Sequence, residues 1–153
     1  KDTLVIFSGP IDRFFEYRFG KLDYRTLRFE IEIKPYKDYQ GTSVMNFAEE
    51  AIPYTRIHEP RHLHPEREEF YPKNKTLIIK EFSLKDDGEN PYYPVNNKSN
   101  TDRYLQYRAL SEKSSNLIIG GRLGDYQYYD MHQSIEKALL LFEEIRKRYT
   151  NDK

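Results

Sequence analysis

Arg25-Thr26-Leu27-Arg28-Phe29-Glu30-Ile31-Glu32-Ile33-Lys34 alternates with a period of two, setting Leu27, Phe29, Ile31 and Ile33 against Arg28, Glu30, Glu32 and Lys34. Successive side chains of an extended strand point to opposite faces, so the pattern predicts a strand with one wet face, as in an antiparallel sheet. Working outward, Ser43 to Ala48, Tyr54 to Glu59 and Thr76 to Ser83 read as further strands, with Pro53 and Pro60 at ends or edges and loops over 60–75 and 85–98. Upstream, Leu4 to Phe7 is a short apolar strand ended by Ser8-Gly9-Pro10, and Ile11 to Phe19 is a short helix closed by Gly20. Downstream, Ser99 and Asp102 form a capping box for a helix to about Ser111, and Asn116 to Ile119 is a buried strand. The fold class expected is α+β. Residues 1–24 give a strand and helix, 25–98 an antiparallel sheet domain, and 99–153 a helix, a strand and a C-terminal helix, so that α/β pieces flank the sheet.

Composition narrows the function classes. Lys plus Arg and Asp plus Glu both number 25, so no global field attracts nucleic acid or an anionic membrane, and any anion site must be local. Aromatic residues interleaved with Arg and Lys on strands would suit a single-stranded nucleic acid, but the zero net charge argues against it. Cysteine is absent, which excludes disulfides, thiol chemistry and zinc sites of the cysteine type. No apolar run has membrane-spanning length, and Leu4 to Phe7 is too short for a signal peptide. The expectation is a cytoplasmic protein with no nucleic-acid partner and no membrane insertion. The chain begins at Lys1-Asp2-Thr3 and enters an apolar strand at once, which reads as a fragment.

The stretch from Gly120 to Met131, Gly-Gly-Arg-Leu-Gly-Asp-Tyr-Gln-Tyr-Tyr-Asp-Met, leads from the strand through glycines and tyrosines into a helix. On that helix Met131, Ile135, Ala138, Leu139, Phe142 and Ile145 share one face, and Asp130 and Gln133 stand where an N-cap and its third-residue partner belong. The first amides of such a helix are unpaired donors at the positive end of its dipole, which suits a phosphate or an electron-rich carbonyl. A glycine turn between strand and helix is also common packing punctuation. In Tyr54-Thr55-Arg56-Ile57-His58-Glu59, Arg56 and His58 share one strand face and Thr55, Ile57 and Glu59 the other. Arg56 suits bidentate phosphate binding, with a cross-strand ion pair to a glutamate as the alternative. Pro91-Tyr92-Tyr93-Pro94 holds two phenols in an extended loop. His58, His62 and His64 with Glu59 offer metal-ligating side chains, but Pro60 and Pro65 break the segment and no metal site is expected. There is no Walker loop or GxGxxG fingerprint.

Taken together these segments resemble the UDP-galactopyranose mutases. The resemblance rests on Ser8-Gly9-Pro10-Ile11-Asp12, Phe15-Glu16-Tyr17-Arg18-Phe19-Gly20-Lys21-Leu22, Tyr24 to Glu30, Gln40-Gly41, Asn46, Tyr54 to Glu59, Lys80-Glu81, Pro91 to Val95 and Gly120 to Met131, collinear from about residue 4 to 142. It implies an isomerase that interconverts UDP-galactopyranose and UDP-galactofuranose for cell-surface polysaccharide synthesis, with reduced FAD attacking the anomeric carbon through N5 to form a flavin–galactose adduct. It also implies that this chain is the C-terminal part of the parent: the sheet domain plus pieces that complete a Rossmann-like FAD domain, the rest of which lies upstream. The isolated piece would then neither hold FAD nor turn over, and a non-catalytic sugar-nucleotide binding module is the alternative. The parent would be a possible homodimer.

Carried over by residue, the resemblance makes Arg56, Tyr93, Tyr128 and Asp130 the catalytic set. Arg56 would hold the diphosphate of UDP-galactose, Tyr93 and Tyr128 would hydrogen-bond phosphate and galactose, and Arg25 would lie near the substrate. Gly121, Arg122 and Tyr128 would contact the flavin, with Asp130 and the Met131 amide along its edge. His132 departs from the Asp usual in the family.

Overall fold

The structure is a computed structural model that describes residues 3–150, with side chains described up to Lys147. The chain has mixed α and β structure and forms two compact units. One comprises the described residues up to Arg25 together with those from Asp86 onward; the other is Thr26–Lys85.

In the first unit, β1 (Val5–Phe7) pairs in parallel with β7 (Leu117–Ile119), Val5 opposite Leu117 and Phe7 opposite Ile119. A parallel pair requires a crossover, and α2 (Lys98–Ser111) leads directly into β7. The helix α1 covers only Ile11–Phe14, shorter than the predicted Ile11 to Phe19. Glu16 and Tyr17 adopt φ of 51° and 57°, left-handed conformations that end a right-handed helix, and Tyr17 N–H donates to the Asp12 carbonyl at 2.8 Å. Gly20, at φ 92°, closes the segment as predicted.

The cap of α2 corrects the sequence reading. Asn97, not Ser99, caps the helix: its side chain accepts from the Asn100 amide at 2.8 Å, so Ser99 lies inside the first turn. The C-terminal end at Ser111 agrees with expectation. The core of this unit is Ile11, Leu22, Tyr24, Tyr107, Ile119 and Tyr126. Three of these six are tyrosines, and each finds a polar partner. Tyr107 donates to the Gly20 carbonyl at 2.8 Å, Tyr126 to the Asp23 carbonyl at 2.6 Å, and Tyr24 lies 3.4 Å from the Leu123 carbonyl.

Burial raises the Tyr126 phenol to about 12, and Tyr24 is raised for the same first cause. The unfolded chain releases such protons near 10, whereas the folded chain keeps them to higher pH. Stability is therefore full below about pH 10 and is lost progressively as the pH rises toward 12. Unfolding midpoints measured in steps of pH across that interval should fall while tyrosinate absorbance lags that of free tyrosine. A flat midpoint would contradict the assignment of Tyr126 to the core.

In Thr26–Lys85 an antiparallel sheet runs in the order β3 (Val44–Asn46), β4 (Arg56–His58), β5 (Thr76–Lys85), β2 (Tyr24–Lys34). The first two residues of β2 belong to the other unit, where Tyr24 and Arg25 pair with Pro94 and Tyr93 of β6 (Tyr93–Pro94). Register places Met45 against Ile57 and Arg56 against Glu81. The strands β3 and β4 are shorter than predicted and β5 two residues longer. The expected loop at 60–75 contains two 3-10 segments, Pro60–Leu63 and Pro65–Phe70, each started by proline, whose missing N–H costs nothing in a first turn. Ile57, Ile78 and Phe82 are buried in this unit.

The single wet face predicted for β2 is not what the structure has. Ile31 and Ile33 are each 66% exposed, while Glu32 on the other face is half-buried and pairs with Lys34 at 2.6 Å and with Lys80. Arg28 and Glu30 on the charged face stay exposed, and within its own unit no described element covers the apolar row from Phe29 to Ile33. The C-terminal helix α4 (Met131–Thr150) behaves similarly: Met131, Ile135, Leu139 and Phe142 are exposed, and among its described apolar side chains only Leu141 and Ile145 are half-buried. No described helix is long and apolar enough to cross a membrane.

Candidate functional site

The strand β7 ends at Ile119, and the long helix begins at Met131, beyond the glycines and tyrosines, as expected. Between them the chain makes a one-turn helix, α3 (Gly121–Gly124), followed by the tyrosine stretch. Gly121 has φ 83°, a conformation that costs a residue with a Cβ, and a Cβ there would lie 3.4 Å from the Ser8 side chain. Ser8, Pro91, Tyr92, Gly121, Arg122 and Leu123 line one cavity.

Arg122 lies at the centre of this region. Its guanidinium carbon sits 5.5 Å from the Tyr93 ring centre and 5.7 Å from that of Tyr128, and the two rings are 5.7 Å apart. One Nη donates to the Tyr92 carbonyl at 2.6 Å, while Nε is buried without a hydrogen-bond partner. Arg25 is the β-sheet partner of Tyr93. The Asp130 carboxylate, first as a hydrogen-bond acceptor and then through its charge, raises the pKa of the Tyr128 phenol, and Arg122 acts against it. Two phenols, a cation and a carboxylate thus converge, as cation–π and charge-assisted contacts allow. The structure brings together Arg25, Tyr93, Gly121, Arg122, Tyr128 and Asp130 of the residues selected from sequence.

Asp130 stands at the head of α4 as expected. Its carbonyl accepts the first helical bond from Ser134 at 2.9 Å, and the Gln133 side chain returns to its amide at 2.9 Å, the reverse arm of a capping box. Met131 is the first residue of the helix, exposed, followed by exposed His132.

Arg56 belongs to the sheet unit, and its side chain is 41% exposed. Its Nε lies 3.4 Å from Glu81 Oε1, close enough for an ion pair, yet outside hydrogen-bond geometry and otherwise buried without a partner. The other oxygen of Glu81 accepts from His58 Nε2–H at 3.1 Å in the tautomer that carries the proton there. The cross-strand ion pair is therefore present, and it orients a guanidinium that still faces solvent. Thr55 also reaches Glu81, at 3.4 Å, instead of taking the opposite face, because it precedes the first residue of β4 and escapes the alternation. Glu81 was legible only as part of a Lys-Glu pair; its function as the anchor of Arg56 depends on a partner 25 residues away.

The histidines separate. His58 bonds Glu81 and His64 bonds Glu66, whereas His62 lies 3.2 Å from Asp38 and 3.6 Å from Glu59. Asp38, Glu59 and His62 hold potential ligand atoms within 4.8 Å of one another. Glu59 is already fully occupied: it accepts from the Tyr39 and Gln40 amides and from the Thr76 hydroxyl at 2.7 Å, which makes it the clamp of the turn at 38–41.

A family model of UDP-galactopyranose mutase matches residues 1–128. The chain is 40% identical to a dTDP-fucopyranose mutase of Escherichia coli over 136 residues, covering 88% of this chain and 35% of that protein. It is 38% identical to a probable UDP-galactopyranose mutase of Klebsiella pneumoniae, covering 96% of this chain and 37% of that one. A UDP-galactopyranose mutase of Mycoplasma pneumoniae is 34% identical over 146 residues, covering 92% of this chain and 36% of that one. The chain thus spans little more than a third of the length of these relatives. Arg25, Arg56, Tyr93, Gly121, Arg122 and Tyr128 lie within the matched stretch, Asp130 and Met131 just beyond it, and the chain belongs to the UDP-galactopyranose mutase family.

Proposed function

We propose that this chain supplies the sugar and diphosphate side of a nucleotide-sugar mutase that interconverts UDP-galactopyranose and UDP-galactofuranose. The observation that carries the reading is the convergence of Tyr93, Arg122, Tyr128 and Asp130 around the Gly121 turn, in a chain with mutase relatives. UDP-galactose is preferred over a dTDP-sugar because the family model and two of the three relatives carry that name, the dTDP-fucopyranose mutase being the specific competitor.

The residues present fit a flavin. Arg122 offers a buried Nε without a partner, and Gly121 leaves open, beside Ser8, the space that a Cβ would crowd. Gly121, Arg122, Tyr128, Asp130 and the Met131 amide would hold FAD, which when bound and reduced supplies the nucleophile for the anomeric carbon. Arg56, steadied by Glu81, binds the diphosphate and stabilises the charge that grows as UDP leaves. Tyr93 and Tyr128 orient galactose and phosphate through their hydroxyls. Asp130 holds the Tyr128 proton in place, and Arg25 adds positive charge on the neighbouring strand. A Rossmann-like flavin domain, contributed by the remainder of a longer parent, would cover the exposed apolar side of α4 and complete the grip on the dinucleotide.

On this reading the 153-residue chain alone is colourless and inactive. The test is to purify it, record its visible spectrum after incubation with FAD, and assay ring interconversion under reducing conditions. A retained flavin band or turnover would show that the chain holds a whole site and not part of one.

A further inference from the structure

We infer that the sheet unit carries a second ligand site, distinct from Arg56, for a small carboxylate with an apolar body. Ile33, Pro60, Arg61, Tyr71, Pro72, Lys75, Thr76 and Leu77 border a cavity of about 390 Å³. That volume is near the lower end of small-molecule sites, roughly 300–1,000 Å³, and suits one ring or a short chain. The walls are aliphatic and aromatic, and the only charged side chains on them are Arg61 and Lys75, both cationic.

Arg61 is the unusual member. It is 7% exposed, so its charge has left water. Its Nη2 meets Glu68 at 3.3 Å, and its guanidinium sits 5.5 Å from the Tyr71 ring centre. Its Nη1 is buried and has no hydrogen-bond partner. A buried cationic donor left unmade is a standing cost, because neither water nor protein satisfies it. The carboxylate beside it, Glu68, is shared between Nη2 and Lys37, the latter at 3.2 Å, and leaves Nη1 without an acceptor. A carboxylate is the planar, singly charged acceptor that matches a guanidinium edge, and Lys75 at the exposed lip adds attraction without demanding a second charge. The apolar walls exclude a bare, strongly hydrated anion such as phosphate and select an acid attached to a ring or an alkyl group.

The probe is para-fluorobenzoate, followed by fluorine NMR on the 153-residue chain, with para-fluorobenzamide and inorganic phosphate as comparators. Saturable benzoate binding is expected, with the neutral amide weaker by about tenfold or more, the size of one charge-assisted hydrogen bond. Phosphate should fail to displace the benzoate. Arg61→Met should weaken benzoate binding by a similar factor. Leu77→Glu, at a 40% exposed rim position that tolerates a polar residue, should abolish binding while leaving the circular dichroism spectrum unchanged, and it decides the matter should Arg61→Met not fold. The proposal is overturned by absence of saturable benzoate binding, by equal affinity for the amide, by displacement with phosphate at matching concentration, or by benzoate affinity that Leu77→Glu leaves intact.

Discussion

On the proposed function, replacing Arg56 with Ala in a full-length mutase that contains this segment should lower kcat for UDP-galactose by about 10²–10³-fold, the usual loss when a donor aimed at developing charge is removed. In the proposed reaction, expulsion of UDP from the anomeric carbon builds charge on the diphosphate, and Arg56 presents a half-exposed guanidinium whose Nε side is fixed by Glu81. Arg56→Lys should recover only part of the rate, since an ammonium cannot offer the planar fork. Glu81→Gln separates positioning from contact. It keeps shape but releases the charge that steadies Arg56 and the bond to His58, so it should raise KM more than it lowers kcat, with a total loss smaller than that of Arg56→Ala. Wild-type rates in Arg56→Ala would remove Arg56 from the diphosphate site.

The largest expected stability effect lies at Tyr107, which is fully buried. Its ring stacks on Phe15 at 6.0 Å and meets Phe19 edge-on at 5.0 Å, while its hydroxyl accepts from the Phe19 amide at 2.9 Å and donates to the Gly20 carbonyl. It joins α2 to the turn after α1. Tyr107→Ala should cost about 3–5 kcal/mol, as other large aromatic truncations in cores do. Tyr107→Phe keeps the packing but strands an amide and a carbonyl, for about 1–3 kcal/mol. Urea unfolding of the two variants checks this order. Equal losses would mean that the hydroxyl bonds, not the ring, carry the effect.

Periodicity made part of this legible. Leu27 to Ile33 announced a strand, Gly20 a stop, and the Gly120 to Met131 stretch a turn into a helix, because these signals are local and depend on backbone geometry. The tyrosine core was not legible, since Tyr107 reaches Gly20 and Tyr126 reaches Asp23 across 87 and 103 residues and no pattern in either segment marks the partner. The cap of α2 was misplaced by two residues because Asn97 and Ser99 are both good caps in the same polar run. The apolar faces of β2 and α4 are legible as periodicity, whereas their exposure is not, because periodicity marks a face and not what packs on it. At the candidate site, the family motifs selected Arg56 and the tyrosines, while Glu81 and the Tyr128–Asp130 pairing became visible only through cross-strand register and the turn after α3.

The most direct test is to incubate the full-length enzyme with UDP-galactofuranose and reductant and to follow the products by chromatography. On the proposed function, conversion to UDP-galactopyranose that requires reduced flavin and is lost with Arg56→Ala is the expected result. Conversion of a dTDP-fucose substrate with none of UDP-galactofuranose would contradict it.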